Sequence, residues 1–234
     1  MNRLAFLAMV LALLVATARG REGEAPAEPP RTLNAPELAA LLDRVEGKLG
    51  QVHSLRADFV QEKHLSLFTD VVTSEGVLLF VRPNAVRFEM TKPFQSVLIA
   101  AGKSVARYEF LDGRWQKMMP GGAAVVRIVT QQIASWLEGK FRAKSDLYEI
   151  SAADAGGITI TLLPRDAKFR EFVTAIELAL AKEETHFTSV TIREPGGDFT
   201  RMLFTHPRHN VELPKQLFDT GGATPPPLPE RGAP

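Results

Sequence analysis

Few side chains in this sequence stand where they could do chemistry together. His206 and His209 are three positions apart and could offer two nitrogens to a metal. Pro207 lies between them and no third ligand is near, whereas zinc needs three or four. Asp58 and Glu62 have the four-residue spacing that sets two carboxylates on one helix face for general acid–base work. Their segment, Leu55-Arg56-Ala57-Asp58-Phe59-Val60-Gln61, alternates with the period of a strand instead, so they read as solvent-facing charges. Gly102-Lys103-Ser104 has the ending of a phosphate-binding loop, yet Val97 stands where that loop needs its first glycine, and a hairpin turn is expected. Neither G-x-S-x-G nor H-E-x-x-H occurs. His53, His64 and His186 are isolated and read as surface or core-edge residues. The chain has no cysteine, which removes thiolate nucleophiles, disulfides, Fe–S clusters and cysteine zinc sites. No catalytic residue, metal site or cofactor is expected, and the chain does not read as an enzyme.

The side chain that asks for an explanation is Arg82, in GVLLFVRPNAVRFEM over residues 76–90. Two apolar runs meet there at a short polar turn. Val77, Leu79 and Val81 point to one side of the first run, Leu78 and Phe80 to the other. A half-buried strand needs only one apolar face. The residue types leave two readings of the second face open: an ordinary packed core, or the wall of an apolar ligand cavity. Fourteen phenylalanines against two tyrosines fit either. Arg82 likewise reads either as a surface arginine beside a turn, or as an inward fork of donors bonding carbonyls of opposing helices.

The elements that would position these residues begin after an export signal. Met1-Asn2-Arg3 is a short positive start, Leu4 to Val15 is apolar, and Ala16-Thr17-Ala18 is a small-x-small cleavage pattern. Residues 1–18 therefore read as a secretory signal peptide, too short for a comfortable span of about 20 residues. A soluble exported product beginning near Arg19 is expected. Residues 19–33 read as a flexible lead-in, 34–219 as one domain, and 220–234 as a disordered Pro/Gly-rich tail with little to bury. The formal charge of +1 gives no pull toward nucleic acid.

The domain opens with a helix. Asn34 with Glu37 is a capping-box start, Leu38, Leu41, Leu42, Val45 and Leu49 recur at helical spacing, and Gly50 ends it. Short strands with tight turns follow, including a hairpin about Pro83-Asn84. A second helix is expected over 123–138, with Val125, Ile128, Val129, Ile133, Trp136 and Leu137 on one face. The sum is mainly β (α+β): about eleven antiparallel strands with two helices. A long twisted antiparallel sheet curls, and two helices suit one open side of it.

The order of residues resembles the outer-membrane lipoprotein carrier (LolA) family. The resemblance rests on Phe59-x-Gln61-x-Lys63, on Gly76-x-Leu78-x-Phe80-x-Arg82-Pro83-Asn84, and on Phe88 and Pro93 with Ser96-Val97-Leu98. Gly197-Asp198-x-Thr200, Phe204, Asn210, Leu213-Pro214 and Phe218 complete it, so that it spans about residues 36–218. It implies a curled antiparallel half-barrel with a helical lid over an apolar cavity. It implies a periplasmic chaperone that takes acylated lipoproteins from an inner-membrane ABC transporter to an outer-membrane receptor, acting as a monomer. It implies that Arg82 is a lid latch bonding backbone carbonyls. For acyl-chain contact it points to Leu41, Leu42 and Val45 on the first helix. On the strands it points to Leu79, Val81, Val86, Phe88 and Leu98, and on the second helix to Val129 and Trp136. Which strand faces point inward stays open, because a one-residue register error exchanges them. A carrier of another lipid or lipid-linked envelope molecule, and a lipid-binding envelope-stress sensor, remain alternatives. Ala85-Val86-Arg87-Phe88 departs from the aromatic residues the family often has after Arg-Pro-Asn, and no further strand is evident after Phe218.

Overall fold

A computed structural model describes residues 30–118, 132–142 and 146–228. The signal peptide, Val129 and the first part of the second expected helix lie outside the described residues.

The described residues open with a two-residue strand β1 (Arg31–Thr32) and helix α1 (Ala35–Gly50). The helix starts where the sequence places it. The Asn34 side chain accepts from the Glu37 amide at 3.0 Å, and the Glu37 carboxylate accepts from the Asn34 amide at 2.9 Å. This satisfies two of the amides a helix start leaves unpaired. Six strands follow as successive hairpins: β2 (Ser54–His64), β3 (Val72–Val81), β4 (Ala85–Lys92), β5 (Ser96–Ala101), β6 (Ser104–Leu111) and β7 (Arg114–Met118). Helix α2 is described over 132–137. Then come β8 (Tyr148–Asp154), β9 (Ile158–Pro164), a short α3 (Ala167–Arg170), β10 (Ala175–Leu180), β11 (Phe187–Arg193), β12 (Phe199–His209) and a 3-10 turn (Lys215–Phe218).

The twelve strands among the described residues form one antiparallel sheet in the order β1-β8-β9-β10-β11-β12-β2-β3-β4-β5-β6-β7. The pairing of β12 with β2 joins the two halves, and β1 and β7 are its ends, so the sheet does not close. Against the expected eleven strands, the additional one is β1, too short to leave a periodic signal. The short α3 was also not expected. Asp166 caps it, its carboxylate accepting from the Phe169 amide at 2.8 Å.

Bending needs a close approach in the middle of β3. A Cβ at Gly76 would lie 2.2 Å from the Glu89 carbonyl oxygen and 2.5 Å from the Phe59 ring. The register shifts at this same point, between Glu75 and Gly76. Glycine with a bulge is how a strand bends over its neighbour without a clash.

The sheet carries apolar layers on both faces. The inner face, under α1 and α2, holds the larger core: Leu55, Phe59, Leu78, Phe80 and Val86 on the first strands, with Ile160, Ile176 and Leu178 on the later ones. The outer face holds a second core of Val77, Leu79, Val97, Ile99, Ala106 and Tyr108, packed against Leu217 and Phe218. The C-terminal segment covers this layer. Leu213 and Leu228 pack against it, Pro225 is buried, the Tyr108 hydroxyl donates to Gly222 O at 3.1 Å, and Lys117 Nζ donates to Thr220 O at 2.7 Å. The segment expected to be a disordered tail from residue 220 thus lies against the sheet through Leu228. Its prolines and glycines form no regular element, but the chain buries apolar side chains at intervals and ties its carbonyls to donors on β6 and β7.

Candidate functional site

Between the inner face and α2 lies an apolar cavity of about 580 Å³, its open mouth included. Trp136, Ile133 and Leu137 of α2 form its roof. Leu55, Ala57, Leu78 and Phe88 form one wall, and Leu178, Phe187, Val190 and Ile192 the other. Met202, Phe204 and Pro207 of β12 close the seam between the two halves of the sheet. Aromatic edges seat the roof: Trp136 meets Tyr148 at 6.1 Å between ring centroids, and Phe141 meets Phe187 at 6.4 Å. Burial pushes the Tyr148 hydroxyl up to about 12, so it stays neutral beneath Trp136. His186 is the titratable side chain in the wall. Burial lowers its pKa, and His209, 5.2 Å away between ring centroids, lowers it further. At neutral pH the imidazole is uncharged, which suits an apolar wall.

Of the side chains that the sequence points to, Trp136 and Phe88 line the cavity. Val86 lies deeper in the inner core, and Leu41, Leu42 and Val45 anchor α1 in that same core without reaching the cavity wall. Leu98 is opposite Phe88 on the inner face, half-buried. Leu79 and Val81 are corrections: both pack on the outer face beneath the C-terminal segment. The alternate residues Leu78 and Phe80 take the inner positions, and only Leu78 reaches the cavity. Sequence reasoning also missed the whole contribution of β10 to β12. Its signal was available, since Val190 with Ile192 and Met202 with Phe204 are apolar at a spacing of two.

Arg82 stands at the β3–β4 turn, half-buried, with its guanidinium turned toward the helices. Nε donates to Val52 O at 2.8 Å, and Nη2 donates to Leu49 O at 2.8 Å and to Glu138 O at 3.1 Å. The first two carbonyls end α1 and the third follows α2. A helix C-terminus leaves its last carbonyls unpaired and partly negative, which makes it a good target for a cationic fork. One side chain therefore fastens both helices to the sheet.

The helices are also tied to each other. Glu46 Oε1 accepts from the amides of Phe141 and Arg142, each at 3.1 Å, and Arg142 donates back to Ala39 O at 2.7 Å. Gly139 (φ 78°) permits the contact, because a Cβ there would lie 2.9 Å from Glu46 Cα. A second fastening lies across α1 from Arg82. Glu184, in the β10–β11 turn, accepts from Arg44 Nε at 2.8 Å and pairs with Lys48 Nζ at 3.0 Å. The Arg44 hydrogen bond, more than burial opposes it, holds the Glu184 carboxyl below its ordinary value of 4.5. A carboxyl with a depressed folded pKa contributes stability above its unfolded pKa and loses it as pH falls through the folded one. Arg44 and Lys48 are about half exposed, so the gain is small. Glu184→Gln is expected to cost about 1 kcal/mol. It should speed hydrogen exchange of α1 amides at pH 7 by several-fold, and the difference from wild type should vanish as pH falls well below 4.5. Equal exchange at pH 7 would show that Glu184 does not hold the helix.

The Asp58 and Glu62 carboxylates are on β2, as strand residues. Glu62 accepts from Arg201 Nη2 at 2.6 Å and contacts His64, while Asp58 contacts His206 at 3.4 Å. Among the described residues no three His, Cys, Asp or Glu side chains are grouped to hold a metal. None of the described helices is long and apolar enough to cross a membrane.

The family model for the outer membrane lipoprotein carrier protein LolA matches residues 50–220, more than half of the chain. The chain belongs to the LolA family. It is 28% identical over 184 residues to the outer-membrane lipoprotein carrier protein of Yersinia enterocolitica, covering 75% of this chain and 89% of that one. To the outer-membrane lipoprotein carrier protein of Sodalis glossinidius it is 30% identical over 131 residues, or 54% of this chain and 64% of that one. Among solved structures it is similar to the LolA superfamily protein NE2245 from Nitrosomonas europaea, with a TM-score of 0.40, 10% identity, and coverage of 77% of this chain and 96% of that one. It is also similar to the lipoprotein LppX of Mycobacterium tuberculosis, with a TM-score of 0.42, 12% identity, and coverage of 77% and 99%. At these modest identities the chain is a divergent LolA-like member.

Proposed function

We propose that this LolA family member is a periplasmic carrier that takes the acyl chains of lipoproteins into the cavity under α2 and moves them from the inner to the outer membrane. The observation that carries this reading is an apolar cavity roofed by α2, which one arginine fastens together with α1 through backbone carbonyls. Each acyl methylene buried is worth about 0.8 kcal/mol, so a chain left in water is costly and a closed apolar shelter is the remedy. The 580 Å³ includes open solvent at the mouth, so the space enclosed between sheet and roof is much smaller. Several long acyl chains therefore require the helices to move away from the sheet.

The same polar contacts that hide the cavity when empty set the cost of opening it. A carrier must release what it binds, and a lid with a modest closing energy keeps affinity below its maximum. Arg82 is the latch in this reading, with Trp136 and Phe88 in contact with the chains. An ABC transporter would load the carrier and an outer-membrane receptor unload it, with no enzymatic step in between.

Native mass spectrometry of the tagged protein, recovered gently from its own cells, tests this. An acylated protein held in complex is the expected result. A free lipid or pigment instead would make it a carrier of a different envelope molecule. An empty protein that also fails to bind an added triacylated lipopeptide would overturn the carrier reading.

A further inference from the structure

The two ends of the sheet differ in kind. The turns β2–β3, β4–β5 and β6–β7 lie at one end, because each strand reverses the last. Leu67 and Phe68 of the first turn are 89% and 65% exposed, Phe94 of the second is 57% exposed, and Phe110 and Leu111 stand out at the third. The other half of the sheet continues the same edge. Phe199 pairs with His64, Arg193 with Phe199, Ala175 with Arg193, Ile176 with Leu162, and Tyr148 with Pro164. That chain of pairs sets Leu163, Phe172 and Leu147, all exposed, at this end too. With Val71 beside β3, every exposed large apolar side chain among the described residues lies here. The opposite end, with Pro83-Asn84, Gly102-Lys103 and Lys182-Glu183-Glu184 at its turns, has none of them.

The most prominent tip is held out by design of its turn. Phe68 N donates to Leu65 O at 2.9 Å, which closes a four-residue turn with Leu67 at its corner. Ser66 donates through both its amide, at 2.7 Å, and its hydroxyl, at 2.8 Å, to the Asp198 carboxylate of the β11–β12 turn. Those bonds hold the Asp198 carboxyl below the ordinary range. Turn corners favour Gly, Asn, Asp or Ser. A leucine and a phenylalanine held there are 89% and 65% exposed and pack little against the described residues.

We propose that this rim is a membrane-docking surface, whose hairpin tips enter the interface of a lipid bilayer. Alternate hairpins of a sheet are about 10 Å apart, so the tips form a row of separate convex points. A protein partner would need a matching pit for each, whereas a fluid interface accepts apolar and aromatic tips at any spacing. Charge gives no alternative pull, because both signs are interspersed along the rim: Lys92 pairs with Glu75 at 3.0 Å, and Asp70, Asp112 and Arg114 are exposed. Docking is therefore driven by apolar burial and changes little with salt. The inference stands apart from the carrier reading, since the empty protein docks whatever its cavity holds.

Cosedimentation of the mature chain with phosphatidylethanolamine–phosphatidylglycerol vesicles, at low and high salt, tests it. Wild type is expected to pellet with vesicles at both. The double variant Leu67→Asp/Phe68→Asp should fall by about tenfold or more in partitioning. Lys103→Asp, at the opposite end, should pellet like wild type, and circular dichroism should show all three folded. Wild type left in the supernatant at millimolar lipid would overturn the inference and leave the rim to a protein partner. Undiminished pelleting by the double variant, or pelleting abolished by salt, would overturn it as well. Binding of a triacylated lipopeptide, measured without vesicles, reads the cavity alone and separates the two hypotheses.

Discussion

Arg82→Leu is expected to leave the sheet folded while opening the lid. The leucine keeps a stem of similar bulk at the β3–β4 turn but donates nothing, so Val52 O, Leu49 O and Glu138 O lose their shared partner. A hydrogen bond from a charged donor contributes about 1.5–3 kcal/mol when well buried, and the half-exposed setting of Arg82 reduces that. Water can reach the freed carbonyls. A total loss of about 2–3 kcal/mol would shift the balance between closed and open forms by roughly 30- to 150-fold. If the carrier reading holds, an incoming acyl chain must break these bonds in wild type and need not in the variant. Affinity for a triacylated lipopeptide should rise by at least about tenfold, and transfer to an acceptor should slow in proportion. The melting temperature should fall by no more than that loss allows, about 4–12 °C at 2–4 °C per kcal/mol, with the sheet still folding cooperatively. Arg82→Lys should behave more like leucine than like arginine, because one ammonium cannot fork to carbonyls of both helices. Unchanged transfer with normal stability would remove Arg82 from the gate.

How far the sequence reaches is clearest around this arginine. The capping box of Asn34 and Glu37, the aliphatic stripe of α1 and the hairpin at Pro83-Asn84 are all local patterns, and each occurs as written in the sequence. Leu41, Leu42 and Val45 are buried because a helix stripe has only one way to face a sheet. The face of β3 was not legible. Strands with one solvated face announce their inside by alternation, but Val77 and Leu79 are as apolar as Leu78 and Phe80. The reason lies more than 130 residues away, where Leu217 and Phe218 cover the outer layer. Nothing near residue 79 encodes that cover. The rim tips were equally hidden, because a leucine at a turn corner looks in sequence like one that packs. Only the antiparallel order, which brings every second turn to one end, gathers Leu67, Phe94 and Phe110 together.

Arg87 shows what the outer cover is worth. In the sequence it reads as a departure from the family's aromatic pattern, yet its side chain is 1% exposed in the structure. Its Nε donates to Glu89 Oε2 at 2.9 Å, Nη2 donates to the same oxygen, and Nη1 donates to Leu217 O at 2.9 Å. The guanidinium thus joins β4 to the 3-10 turn through the middle of the outer core, with Leu217 and Phe218 packed beside it. Removing one partner of such a pair leaves the other charge poorly solvated, which typically costs about 3–5 kcal/mol. Arg87→Leu is accordingly expected to lower the melting temperature by about 10 °C, at about 2–4 °C per kcal/mol for a domain of this size. The effect should be partly undone by Glu89→Gln in the same chain, since the orphaned carboxylate and not the missing attraction is most of the cost. Ligand binding in the inner cavity should survive at temperatures where the variant is folded, because the two cores lie on opposite faces of the sheet. A protease acting near residues 210–228 reads the same contact independently: the variant should be clipped there while the sheet stays intact. If Arg87→Leu melts like wild type and resists cleavage, the C-terminal segment is held by its apolar side chains alone and the arginine is incidental to it.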